Sequence, residues 1–172
     1  MKSSLKALLA SALLCAGAVQ AQALVNGTQA PDLSSIEKWH NSEPLSMAQL
    51  KGQVVLIDVL TYTCINCIHI MPYVASWYDK YKSQGLQVIG VHTPEFPFER
   101  DSANVADALK KRHILYPVAQ DNQYATWNAY HNQYWPALYL VDKKGRIIYR
   151  HFGEGDYAQT EEAIRTALAQ RD

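Results

Sequence analysis

The chain has 172 residues, and its 16 Lys and Arg residues balance its 16 Asp and Glu residues. Because no net positive charge is available to attract phosphate groups, nucleic acid is not an expected partner. The length suits one domain that can bury a core without disulfides, and no repeats or low-complexity tracts suggest a fibrous or solenoid protein.

A secretion leader is predicted at the N-terminus. Two lysines precede an uncharged run over residues 7–19, and small residues follow at Ala21 and Ala23. This pattern is typical of a cleaved signal peptide, and the run is too short to span a bilayer. We therefore expect residues 1–23 to be removed and residues 24–172 to act as a single domain in the periplasm.

Cleavage would change the cysteine count. Cys15 lies in the leader, and Leu14 precedes it where a lipoprotein signal carries a small residue, so lipidation is not expected. The mature chain keeps Cys64 and Cys67, which are separated by two residues. A disulfide between them would close too small a loop to stabilise a fold.

Hydrophobic periodicity predicts strands that alternate with helices. The expected elements, in chain order, are a turn capped by Ser46 and Gln49, a buried strand at 54–62, a helix at 66–84 stopped by Gly85, a strand at 86–92, a helix at 102–112, a short strand at 115–121, a short helix at 124–130, a hairpin of strands 137–142 and 146–153, and a last helix opened by a capping box of Asp156 and Gln159. This order predicts an α/β fold with a mixed sheet covered on both faces.

The cysteine pair lies where the first core strand runs into a helix. Cys64 is expected at the helix N-terminus, where the dipole and the free N–H groups stabilise a thiolate. Cys67, one turn further on, is close enough to form a disulfide but is shielded from solvent. The spacing predicts reversible thiol–disulfide exchange, with the redox-active disulfide itself in place of a cofactor.

The cysteine pair has three other interpretations. A structural disulfide would gain little, and a zinc site would need further ligands, which His69 or His92 could supply in part. Covalent haem attachment needs a histidine where Ile68 stands. The histidines expected at the surface or as helix caps are His40, His69, His113, His131 and His151.

Four stretches resemble a known family: TYTCINCIHIMPY, GVHTPEFPFE, YPVAQDNQYATWNAY and NQYWPALYLVD. They are similar to thioredoxin-fold proteins of the TlpA-like and redoxin group, most closely to the thioredoxin-like domain of DipZ-type proteins, over residues 30–170. The resemblance implies a thioredoxin fold with a helix and a strand inserted before a cis-proline. It also implies dithiol–disulfide exchange with Cys64 as the attacking and Cys67 as the resolving thiol.

The resemblance assigns roles near the pair. Asp58 corresponds to a buried acid that moves protons for Cys67, and a carboxyl in an apolar strand is indeed expected to have a raised pKa; a structural, hydrogen-bonded Asp is the alternative. Asn66 and Pro72 belong to the active-site helix, which Pro72 is expected to kink.

Two further loops are expected to reach the thiols. Pro136 resembles the cis-proline, which would leave the backbone of Trp135 free to pair with a substrate chain; an ordinary trans turn is the alternative. His92 and Glu95 follow the second core strand, so their loop should lie beside Cys64 and either tune the thiols or only shape the loop.

Two positions depart from the family. Leu60 and Thr63 stand where many relatives carry aromatic residues, which leaves substrate contacts and redox potential open. The sequence favours a monomeric periplasmic enzyme that reduces or exchanges protein disulfides and is re-reduced by a membrane thiol donor of the CcdA or DsbD type. A thiol peroxidase and a copper-handling module are the alternatives.

Overall fold

The computed structural model describes residues 26–170, so the predicted leader, with Cys15, lies outside the described residues. The strands are β1 (Lys38–His40), β2 (Val54–Leu60), β3 (Leu86–His92), β4 (Val118–Gln120), β5 (Ala137–Val141) and β6 (Ile147–Phe152). The α-helices are α1 (Ile65–Tyr81), α2 (Ser102–Lys111), α3 (Ala125–Ala129) and α4 (Tyr157–Ala169), with short 3-10 helices at Lys82–Gln84 and Pro97–Arg100.

The six described strands form one sheet in the order β1-β4-β3-β2-β5-β6. Strands β2, β3 and β4 run parallel, whereas β1, β5 and β6 are antiparallel to their neighbours. The predicted mixed sheet and its closing hairpin are confirmed. α2 and β4 lie between β3 and β5, which is where the resemblance implies an inserted helix and strand.

Strand β2 is the centre of the core, and all of its side chains are buried. Because side chains alternate along a strand, Val54, Leu56 and Leu60 pack in one apolar cluster with residues of α1, α2 and α4. The residues between them pack in a second cluster on the other face, with the N-terminal segment. Asp58, two positions after Leu56 and two before Leu60, points to the same side as the first set, so it lies on the face covered by α1.

Two predicted helix and turn signals are confirmed. Gly85 has a φ of +97° and ends the 3-10 turn that follows α1. Ser46 and Gln49 exchange hydrogen bonds, because the Ser46 N–H donates to Gln49 Oε1 at 2.9 Å and the Gln49 N–H donates to Ser46 Oγ at 3.4 Å. None of the helices within residues 26–170 combines the length and the apolar character needed to cross a bilayer.

Two sequence predictions are wrong. Asp156 is the N-cap of α4 but has a φ of +46°, and its side chain makes no cap hydrogen bond with Gln159 or its neighbours; its carboxylate lies 3.5 Å from His151 Nδ1 instead. His40 is buried and not a surface residue or cap, with Nε2 3.2 Å from Gln120 Oε1 across the pair of β1 and β4. Burial lowers the pKa of His40.

Candidate active site

Three loops meet at one edge of the sheet. In the sheet register Leu60 pairs with His92, and Val59 pairs with Ala137. The chain therefore leaves β2, leaves β3 and enters β5 at the same edge, where the Thr93 N–H donates to the Leu60 carbonyl at 2.9 Å. Since loops at the carboxyl ends of parallel strands gather functional groups, this edge is the candidate active site.

Cys64 is the N-cap of α1, with φ −65° and ψ 120°. Its Sγ accepts a hydrogen bond from the Cys67 N–H at 3.4 Å, and its carbonyl accepts from the Ile68 N–H at 3.0 Å. The Cys64 side chain is half-buried. A negative charge on this sulfur would lie at the positive end of the helix dipole, where free N–H groups stabilise anions.

Cys67 lies one turn inside α1 and is fully buried in the apolar cluster on that face of the sheet. Burial raises the pKa of the Cys67 thiol, and negative charge at Cys64 and Asp58 raises it further, against a hydrogen bond with the Thr61 backbone that lowers it. Both thiols are free. Their surroundings differ, because Cys64 reaches solvent whereas Cys67 needs a neighbouring group to take its proton.

Asp58 provides a carboxyl on the same face. It is fully buried, and burial raises the pKa of Asp58 to about 7, against a hydrogen bond from Tyr116 that lowers it. The Tyr116 hydroxyl donates to Oδ2 at 3.1 Å. Oδ1 has no hydrogen-bond partner among residues 26–170. A carboxyl with a pKa near neutrality and one unpartnered oxygen is able to accept a proton.

Sequence reasoning missed Tyr116 because it is 58 positions from Asp58 in the chain. Gly90 pairs with Asp58 across the sheet. A Cβ at Gly90 would lie 3.0 Å from Val118 Cγ2 and 3.3 Å from Tyr116 Cε2, so glycine leaves room for the Tyr116 ring. A glycine inside an apolar strand is the sequence signal for such a close approach.

A second buried carboxylate, Glu99, was also missed. Its Oε2 accepts the N–H groups of Glu95 at 2.6 Å and Phe96 at 2.8 Å, and its Oε1 accepts the Thr63 hydroxyl. Burial opposes ionisation, but hydrogen bonds from threonine hydroxyls and these backbone N–H groups lower the pKa of Glu99. Glu99 thus ties the loop after β3 to the residue that precedes Cys64.

The two loop residues proposed from the sequence have different surroundings. The Glu95 side chain is exposed, and its backbone N–H binds Glu99. His92 is fully buried, with Nε2 3.5 Å from Thr61 Oγ1 and its ring stacked on Tyr62 at a centroid distance of 5.6 Å. Burial lowers the pKa of His92 to about 4, so its imidazole is neutral at pH 7.

The peptide bond between Trp135 and Pro136 is cis. The Pro136 carbonyl accepts the Gly153 N–H at 2.9 Å, which fixes the loop to the end of β6. The half-buried Trp135 indole donates to the Thr93 carbonyl at 3.1 Å and packs against Trp127 at a centroid distance of 4.2 Å. The indole therefore lies at the same edge of the sheet as the cysteines.

The other proposed residues lie on α1 and around the sheet. Asn66 is exposed in the first turn of α1, and α1 continues through Pro72. His113 and His131 have positive φ just beyond α2 and α3, as expected of capping residues, and the exposed His69 contacts Glu154 at 2.6 Å. Within residues 26–170, no three His, Cys, Asp or Glu side chains are grouped as metal ligands.

The sequence of this chain is similar to those of known proteins. Residues 25–168 match the Redoxin family. Protein DipZ of Mycobacterium bovis is 50% identical over 142 residues, which is 81% of this chain and 20% of DipZ. The thiol-disulfide oxidoreductase YkuV of Bacillus subtilis is 29% identical over 83% of this chain and 95% of YkuV.

The solved structure of a thiol-disulfide isomerase from Corynebacterium glutamicum superimposes with a TM-score of 0.73 at 26% identity, over 83% of this chain and 98% of that one. The predicted thioredoxin-like fold is confirmed. The chain spans about a fifth of the length of the DipZ proteins it matches.

Proposed function

The chain belongs to the redoxin family, and we propose that it is a thiol–disulfide oxidoreductase that reduces or exchanges disulfides in proteins. The observation that carries the proposal is the placement of a half-buried Cys64 and a fully buried Cys67 in one helical turn. YkuV and the Corynebacterium isomerase, whose names state this chemistry, support it.

The reaction consists of two exchanges. The Cys64 thiolate attacks one sulfur of a client disulfide, so a mixed disulfide forms and the first client sulfur leaves as a thiolate. Cys67 then attacks Cys64 Sγ, which closes the Cys64–Cys67 disulfide and releases the second client thiolate. Two electrons pass from the enzyme dithiol to the client.

The second exchange needs a proton acceptor, because the Cys67 thiol is buried and its pKa is raised. We assign this role to the Asp58 carboxylate, which would take the Cys67 proton on Oδ1. The proton later leaves to a departing client thiolate or to solvent. This assignment is supported by the burial of both groups on one face of the sheet and by the raised pKa of Asp58.

We further propose that Trp135 contacts the client next to the reacting disulfide. Its indole is held by Thr93 and Trp127 while remaining partly exposed, so it is able to cover an apolar side chain at little entropic cost. Trp135→Ala should slow reduction of a protein disulfide while leaving reduction of a small aromatic disulfide unchanged. Equal losses on both substrates would remove Trp135 from client binding.

The cellular setting is part of the proposal. The N-terminal pattern supports export to the periplasm, where a membrane thiol donor of the CcdA or DsbD type would return two electrons and two protons to the oxidised pair. The protein recovered from the periplasm of an expressing cell should begin at Gln22 or Leu24. Recovery of the uncut chain in the cytoplasm would overturn this setting.

The central test is trapping of the mixed disulfide. Reduced Cys67→Ser should form a stable adduct with a disulfide-bonded test protein such as a ribonuclease, whereas the wild type should turn it over and Cys64→Ser should do neither. Peptide mapping should place the adduct on Cys64. An active Cys64→Ser variant, or an adduct on Cys67 in the wild type, would contradict the assigned roles.

A further inference from the structure

Tyr116 lies in the segment between α2 and β4 and is fully buried. Its ring meets Tyr78 edge-on at a centroid distance of 6.0 Å and lies beside Gly90, whose missing side chain makes room for it. The ring is thereby held on the face of the sheet that carries Asp58 and Cys67.

The Tyr116 hydroxyl has one described acceptor, Asp58 Oδ2, at 3.1 Å. Backbone N–H groups do not replace Tyr116 as the donor to Asp58. Asp58 lies in the middle of β2, between β3 and β5, and the N–H groups there are used in hydrogen bonds of the sheet. The carboxyl therefore relies on a side-chain donor from outside its strand. Since Tyr116 holds Oδ2, the other oxygen is left to take a proton.

The phenol itself is not the base. Burial and the neighbouring Asp58 raise the pKa of Tyr116 far above its ordinary value, so the hydroxyl keeps its proton and remains a donor across the range in which Asp58 titrates. A donor to a carboxylate stabilises the ionised form. Without it, the desolvated Asp58 would be protonated at neutral pH and unable to accept another proton.

We infer that Tyr116 is a positioning residue that holds Asp58 Oδ2, stabilises the carboxylate form, and leaves Oδ1 free for the Cys67 proton. The inference rests on the proposed role of Asp58 in dithiol exchange. The balance of the step is simple: the S–H bond of Cys67 breaks, an O–H bond forms on Asp58, and the Tyr116 hydroxyl donates throughout without transferring its own proton.

The test follows the Asp58 carboxyl carbon by NMR in the reduced protein, assigned with Asp58→Asn. In Tyr116→Phe the midpoint should move to higher pH by about one pH unit, the effect of losing one hydrogen bond to a charged group. Closure of the Cys64–Cys67 disulfide should slow about fivefold at pH 7 and recover at alkaline pH, because less Asp58 is ionised.

Tyr130→Phe is the matched control, since Tyr130 is also buried and its hydroxyl donates to the Pro31 carbonyl at 3.0 Å, away from Asp58. It should leave the Asp58 midpoint unchanged. An unchanged midpoint in Tyr116→Phe would overturn the inference, even if disulfide exchange is active. A shifted midpoint in an enzyme that exchanges no disulfides would instead refute the proposed function.

A second measurement uses the wild type, so it does not depend on the folding of Tyr116→Phe. The chemical shift of the Tyr116 Cζ carbon should change with pH at the same midpoint as the Asp58 carboxyl carbon, because the hydroxyl senses the charge of its acceptor. A Cζ shift that stays flat across this midpoint would show that Tyr116 is not bonded to the titrating group.

Discussion

Asp58 and Glu99 are both buried carboxyls close to the cysteine turn, but their surroundings shift their pKa values in opposite directions. Burial raises the pKa of Asp58 to about 7, whereas hydrogen bonds overcome burial and lower the pKa of Glu99. The difference shows that burial alone does not decide whether a carboxyl is a proton acceptor. Hydrogen-bond donors that reach the carboxylate contribute as well.

The number of donors follows from secondary structure. Glu99 lies in a short 3-10 helix, and its carboxylate reaches back to the backbone N–H groups of Glu95 and Phe96, which come just before the helix and have no partner in a strand. Asp58 lies mid-strand, where both neighbouring strands use the N–H groups, so it receives one side-chain donor. Asp58 is therefore suited to exchange a proton, and Glu99 to stay ionised and hold a loop.

The largest expected effect is that of Asp58→Asn on stability. Because the folded pKa lies near 7 and the ordinary value is 3.8, the wild type loses stability through this group as the pH rises from about 4 to about 7. The variant has no such loss and should be more stable at pH 8 by up to about 4 kcal/mol.

Urea unfolding of the reduced proteins at pH 4 and pH 8 measures this difference. The difference in the free energy of unfolding between Asp58→Asn and the wild type should be small at pH 4, because the carboxyl is protonated in the folded wild type and only about half ionised in the unfolded state. A gap of equal size at both pH values would show that ionisation of Asp58 is not its cause.

Glu99→Gln should act with the opposite sign. The side-chain amide of this variant would place an NH₂ group next to N–H donors. We therefore expect the free energy of unfolding to fall by about 2 kcal/mol at pH 7, which is the value of hydrogen bonds to a charged group. The folded pKa is lowered, so this contribution is present above the ordinary value of 4.5 and is lost as the pH falls through the folded value.

Glu95→Gln is the matched control for Glu99→Gln, because Glu95 is in the same loop with an exposed side chain. Its backbone N–H, which binds Glu99, is kept. The control should change the free energy of unfolding by less than about 0.5 kcal/mol. If Glu95→Gln and Glu99→Gln lower the free energy of unfolding equally, the loss does not come from the hydrogen bonds of the Glu99 carboxylate. The contrast drawn between Glu99 and Asp58 would then be wrong.

The sequence predicts local features of this site well. The apolar run of β2, the helix that follows Cys64, and Gly85 as a stop all depend on neighbours in the chain, and the structure confirms them. The strand expected over residues 115–121 is shorter, Val118–Gln120, because β3 pairs with it only through residues 90–92.

Contacts between distant residues were not predictable. Tyr116 and Asp58 are 58 positions apart, and Thr63 and Glu99 are 36 apart, so no periodicity links them. Glu99 had a local signal, since Pro97 at the first and Glu99 at the third position are typical of a helix start. The burial of His40 had none, because it depends on the pairing of β1 with β4.

The smallest expected effect tests whether the Glu99 loop and the cysteine turn are coupled. Thr63 is exposed and precedes Cys64, and its hydroxyl donates to Glu99. Thr63→Val keeps the shape but removes this donor, so it should cost about 1 kcal/mol at pH 7, and Thr63→Ser should restore most of it. In the Glu99→Gln background the cost of Thr63→Val should shrink toward zero, because the charged carboxylate that accepts the hydrogen bond of the Thr63 hydroxyl is no longer present. If the two losses simply add, Thr63 acts on its own, and Glu99 holds only its own loop through the backbone.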